Sequence, residues 1–146
     1  MNIIKYVLIL KALLLLSIIS FAQKGIISTY KADAIFVSFH HITTGKTLGE
    51  PVLMGKEVII KYNLSFESLT ISYTDPKSEE RTTTYLSFVR YDREQKGGII
   101  MKDGHDNPLT VYNELLTNNK LSLWGHKLMD NKYMPIQVIL DTKQVD

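Results

Sequence analysis

The stretch from Ser68 to Tyr91 constrains the fold more than any other part of the chain. Leu69, Ile71 and Tyr73 alternate with Thr70, Ser72 and Thr74. A period of two belongs to a strand with one face in a core and the other in water. Asp75-Pro76-Lys77-Ser78 follows, with Asp and Pro at the first two turn positions, where their backbone preferences fit. The chain resumes as Thr82 to Tyr91, rich in β-branched and aromatic residues. Residues 68–91 therefore read as one long hairpin with a charged, solvated tip from Lys77 to Arg81.

The flanking sequence has the same punctuation. Ala34 to Ile42 reads as a strand with Ile35, Val37 and Phe39 on one face and Phe36, Ser38 and His40 on the other. Thr43 to Pro51 holds Gly45, Gly49 and Pro51 and reads as a loop. Glu57 to Asn63 is a strand that shows Val58, Ile60 and Tyr62 on one side. Asp92 to Gly98 is a turn, Ile99 to Lys102 a short strand, and Asp103 to Pro108 a polar loop. Leu109 to Leu116 fits a helix or a strand, with Thr110, Val111 and Tyr112 favouring the strand. Asn118-Asn119 turns the chain into Leu121 to Trp124, and Ile136 to Leu140 closes it. Sequential strands joined by short turns pair as neighbours. The expected class is all-β, an antiparallel meander of about seven or eight strands forming a barrel or a sandwich.

Ahead of that domain, residues 1–22 read as a cleaved signal helix. Lys5 and Lys11 precede an apolar core from Ala12 to Ile19. Ser20 and Ala22 are small residues at the two positions a signal peptidase reads. Cleavage between Ala22 and Gln23 leaves residues 23–146 as a single β domain. A spanning helix needs about 20 apolar residues, and Lys11 interrupts the run well short of that. The chain has no Cys, so lipidation, disulfides and thiolate sites are excluded. The reading is export to the periplasm or the exterior, with no stable membrane anchor after cleavage.

Charge follows from the same cut. The leader carries two lysines and no acidic residue, so the 17 basic residues of the whole chain fall to 15 against 15 acidic ones. A mature net charge near zero argues against nucleic acid, whose phosphates demand a basic face.

Two segments resemble a known group. The leader ending Ser-Phe-Ala-Gln-Lys, residues 20–24, resembles signal peptides of secreted Bacteroidota proteins. The run Leu109-Thr-Val-Tyr-Asn-Glu-Leu-Leu-Thr-Asn-Asn-Lys-Leu-Ser-Leu-Trp124 is similar to the late hairpin of small lipocalin-like proteins secreted by those bacteria. The resemblance implies an eight-stranded up-and-down barrel. It carries no ligand-contacting residue across, and the Gly-x-Trp that opens the first lipocalin strand has no counterpart here.

Catalytic patterns are sparse. His40 and His41 are adjacent in a strand and so point to opposite faces, and no two histidines have the i, i+4 spacing of zinc hydrolases. There is no Gly-x-Ser-x-Gly elbow. Acidic pairs such as Glu79 and Glu80 or Asp92 and Glu94 sit in turns beside Lys or Arg. Asp103, Asp106 and Asn107 surround Gly104 as weak calcium candidates, without the alternating spacing and distant Glu of an EF-hand loop. A polar turn accounts for them better. No cofactor is implied.

The aromatic residues remain. The strand from Thr82 to Tyr91 is apolar on both faces, with Leu86 and Phe88 on one and Tyr85, Val89 and Tyr91 on the other. A sheet covered on both sides explains this best. The functional alternative is an exposed aromatic strip suited to protein or glycan contact. The chain thus reads as an exported, non-catalytic binding or interaction protein, with Tyr85, Tyr91 and Trp124 as candidate contacts. Its partner would be a protein, a glycan or a small apolar ligand. A lipocalin-like carrier of a small apolar ligand is the alternative, and a hydrolase without a recognisable motif is a third. A carrier requires an apolar cavity of about 300 Å³ or more. An interaction module requires exposed, clustered tyrosines. A hydrolase requires a histidine within reach of a carboxylate and of a serine or metal.

Overall fold

The computed structural model describes residues 26–129 and 132–145; the leader and its cleavage point lie outside them. The strands are β1 (Ile27–His40), β2 (Thr47–Asn63), β3 (Ser68–Thr74), β4 (Arg81–Tyr91), β5 (Ile99–Lys102) and β6 (Pro108–Glu114). A four-residue helix, α1 (Leu115–Asn118), precedes β7 (Lys120–Met129), β8 (Lys132–Asp141) and the two-residue β9 (Lys143–Gln144). Every pairing is antiparallel, and β2 through β8 follow in chain order. β1 then pairs with both β8 and β2, so the meander closes into a β-barrel of eight strands.

Alternation decides what faces inward. Ile60 pairs with Ile71, Leu69 with Leu86, Phe88 with Met101, Val111 with Leu123, and Leu121 with Leu140. Cross-strand partners share a face, and all of these residues except Phe88 belong to one buried cluster. The hairpin over 68–91 is present as expected, and its tip is exposed.

The barrel is one of the two forms expected, and two other readings are corrected. The sheet is not covered on both faces. The outer face of β4 is accordingly uncovered, with Tyr85 53% exposed. Residues 47–51 are strand and not loop, because Thr47 and Leu48 pair with His40 and Phe39 and the ladder resumes at Val52 opposite Val37. Between the pairs Val37–Val52 and Phe39–Leu48, three residues, Gly49, Glu50 and Pro51, stand opposite the single Ser38. This bulge takes up the positive φ of Gly49 and the missing N–H of Pro51. The ambiguous segment after Leu109 is strand only to Glu114, and Leu115 and Leu116 begin α1.

The two ends of the barrel differ. At one end lie α1 and the chain turns around 64–67 and 92–98; Tyr30, Leu69, Leu115, Leu121 and Leu140 fill the interior there and are at most 1% exposed. At the other end lie the turns around 41–46, 75–80 and 103–107, and there the interior is not filled.

Candidate functional site

The open end holds a cavity of about 510 Å³. It is bounded by inward residues of seven strands, among them Val37 and Phe39 of β1, Ile71 and Tyr73 of β3, Leu86 of β4, and Val138 of β8. Its wall is almost wholly apolar. The polar groups are Thr84 within and Asp75 and Lys77 at the rim, on the turn between β3 and β4.

The local sequence explains the empty space. Gly55 of β2 faces inward opposite Ile35 and lets the Tyr73 ring lie against the bare backbone. A Cβ at Gly55 would stand 2.7 Å from Cγ and 2.9 Å from Cβ of Tyr73, closer than any packed contact. Gly125 of β7 plays the same part toward Leu109, whose Cδ2 would be 2.5 Å from an added Cβ. Both glycines are buried.

The rim is stiffened by its own turn. The Asp75 carboxylate accepts the backbone N–H groups of Lys77 (2.8 Å) and Ser78 (3.0 Å). Those bonds, with the nearby Lys77 ammonium, hold its pKa below the ordinary carboxylate value. Arg81 at the start of β4 donates to the Glu57 carbonyl (2.9 Å) and to the Ser72 carbonyl (3.3 Å), tying the tip end of the hairpin to β2. Among the described residues, the Lys77 ammonium forms no ion pair.

The three aromatic candidates are not brought together. Tyr85 projects from the outer face of β4 opposite Thr70. A bulge between Phe88 and Arg90 then reverses the alternation, so Tyr91 pairs with Ile99 and joins the inward row at the closed end. Its ring meets Phe88 edge-on at 5.2 Å, and its hydroxyl donates to the Glu67 carboxylate at 2.5 Å. That hydrogen bond is the first cause of the raised Tyr91 pKa. Tyr91 therefore bridges two closed-end loops, although it is 60% exposed. The residues give no advance sign of this bulge. Trp124 lies on the outer face of β7, between Thr110 and Gln137, and its ring is 5.0 Å from His40.

His40, His41 and the calcium candidates are engaged within their own turns. His40 is 6% exposed, and its Nδ1 donates to the Gly45 carbonyl at 3.1 Å. His41 Nδ1 accepts from the backbone of Thr43 (3.2 Å) and Thr44 (3.3 Å). Among the described residues no histidine is ion-paired to a carboxylate. The calcium candidates are engaged locally. Asp103 accepts from the backbone of His105 and Asn107 and from the Asn107 amide, while Asp106 pairs with Lys102 at 2.7 Å. The described residues contain no group of three or more His, Cys, Asp or Glu placed to hold a metal ion.

Comparison with protein families, with curated proteins and with solved structures finds no match to this chain.

The cavity itself was illegible in advance. Ile35, Val37, Phe39, Ile136 and Val138 carry the periodicity of core residues, and a strand pattern does not report how much space the opposite wall leaves. Gly55 within an apolar strand and Gly125 after Trp124 were the available signals, because glycine in a strand marks a close approach.

Proposed function

We propose that this protein is an exported, non-catalytic, lipocalin-like binding protein that takes a small apolar ligand into the open end of its barrel. The observation that carries the reading is the cavity of about 510 Å³, which falls in the range of small-molecule sites. Apolar walls supply affinity by removing ligand surface from water. Thr84, Lys77 and Asp75 supply the few polar groups that orient a ligand at such a site. An interaction surface built on Tyr85 and Tyr91 has less support, since the two rings stand on opposite faces of the sheet.

The test is a titration with N-phenyl-1-naphthylamine, a neutral apolar dye that brightens when desolvated. One saturable site is expected, with a Kd of about 1–10 μM. Val138→Phe places extra ring volume in the cavity and should weaken the dye by about tenfold. An absence of binding, or identical affinity in the variant, would remove the carrier reading.

A further inference from the structure

We propose that the outer wall around Trp124 and Tyr112 carries a second site, and that this site takes a neutral saccharide. The groove there has a volume of about 540 Å³ and includes Gln95, Ile100, Thr110, Tyr112, Trp124 and His126 in its lining. It shares Leu109 and Gly125 with the barrel cavity, but Trp124 belongs to the outward row of β7 while Leu123 belongs to the inward one.

Two properties select the ligand class. The first is charge. Among the described residues, no Asp, Glu, Lys or Arg lines the groove. A phosphate, carboxylate or ammonium ligand would leave water without a countercharge, which is costly. The second is the mixture of ring faces with hydrogen-bonding edges. Thr110 pairs with Trp124, and Tyr112 with Ser122, so Tyr112 and Trp124 stand on one face at diagonal positions of adjacent strands, about 7–8 Å apart at the backbone and within reach of one ligand. Gln95, Thr110, Tyr112 and His126 add hydroxyl, amide and imidazole groups. A pyranose offers the complement, an apolar C–H face and a rim of hydroxyls that both donate and accept. A proline-rich peptide also stacks on aromatic grooves, but its backbone offers mostly acceptors, which leaves the groove's own acceptors unmatched.

The platform is set before any ligand arrives. His40 backs the Trp124 ring at 5.0 Å with a tilt of 43°, and is itself fixed by its bond to the Gly45 carbonyl. The Tyr112 hydroxyl donates to the Gln95 side-chain carbonyl. Rings already held lose little freedom on binding, which favours affinity.

Trp124 is the single tryptophan in the chain, so intrinsic fluorescence reports this groove directly. The full mature protein would be titrated with maltohexaose, cellohexaose, xylohexaose, mannohexaose and tetra-N-acetylchitotetraose, with decaproline and an oligogalacturonate alongside. At least one neutral oligosaccharide should shift the emission saturably, with a Kd of about 1 mM or tighter. By calorimetry, Trp124→Ala should weaken it about tenfold or more. Gln95→Ala, in an exposed loop, should weaken it about threefold without touching the barrel. Val138→Phe should leave it unchanged, so this site and the barrel cavity fail or stand separately. The proposal is overturned if no neutral oligosaccharide binds, if decaproline or the oligogalacturonate binds in its place, or if affinity survives both Trp124→Ala and Gln95→Ala.

Discussion

The closed and open ends of the barrel are built from the same strands with the same alternation, yet one is packed and the other hollow. At the closed end, large inward residues meet: Tyr30 beside Ile60, Leu69 beside Leu86, Leu121 beside Leu140, with Leu115 of α1 among them. At the open end, large inward side chains such as Phe39, Tyr73 and Ile136 are interspersed with the small ones of Thr84, Val37 and Val138 and with Gly55 and Gly125. The difference is one of side-chain volume, not of topology. Close packing stabilises, because each void forfeits contacts on one side. The closed end therefore holds the fold together, and the open end gives up some of that stability for space.

Leu121 and Leu123 put this contrast to its largest test. They are two residues apart on the same face of β7, 0% and 8% exposed, and only Leu123 lines the cavity. Leu121→Ala should cost about 4 kcal/mol, since it opens a new void in filled surroundings. Leu123→Ala enlarges a space that already exists and should cost about 2 kcal/mol, the low end of such substitutions. Urea unfolding of both variants measures the difference. Equal losses would mean that the open end is as tightly packed as the closed one.

A smaller effect separates the two glycines. At Gly55 an added methyl meets the rigid Tyr73 ring and its Cβ; at Gly125 it meets only the tip of Leu109. Gly55→Ala should destabilise by about 2 kcal/mol, as overpacking against an immovable neighbour does. Gly125→Ala should cost under about 1 kcal/mol, because the leucine can change rotamer. Thermal denaturation gives the order, and a Gly125→Ala loss larger than that of Gly55→Ala would show that Tyr73 is the mobile group.

These two pairs also mark how far the residues alone could be read. The hairpin over 68–91, the inward sets of β2 and β3, and the meander were legible because period-two alternation is a local property. Whether the sheet closed on itself was not, since closure rests on the pairing of β1 with β8, about a hundred residues away. The bulge that turns Tyr91 inward was also hidden. It changes the register by one residue, and one residue exchanges the faces. Trp124 could be named as a candidate but not placed, because its neighbours His40 and Tyr112 come from other strands.

The smallest expected effect concerns the turns. Asp75 and Asp103 both lie at the open end, and both have their pKa held low, Asp75 first by the backbone N–H of Ser78 and Asp103 first by the Asn107 amide. A carboxylate with a depressed folded pKa binds fewer protons folded than unfolded. Its contribution is therefore complete above the ordinary carboxylate value of about 4 and is lost as the pH falls through the lower folded value. Both residues are only half-buried and their carboxylates stay in contact with water, so the consequence for global stability is slight, and the effect is better read locally. Across an acid titration followed by amide NMR, Lys77, Ser78, His105 and Asn107, whose N–H groups these carboxylates accept, should shift with midpoints below about 4. At the closed end, the Leu64 amide bonds to the Ile26 carbonyl. That acceptor does not titrate and Leu64 lies between Asn63 and Ser65, so its signal should stay in place until the barrel unfolds. Movement of Leu64 in step with Ser78 would show that acid loosens the two ends together, and the division of labour between them would then be wrong.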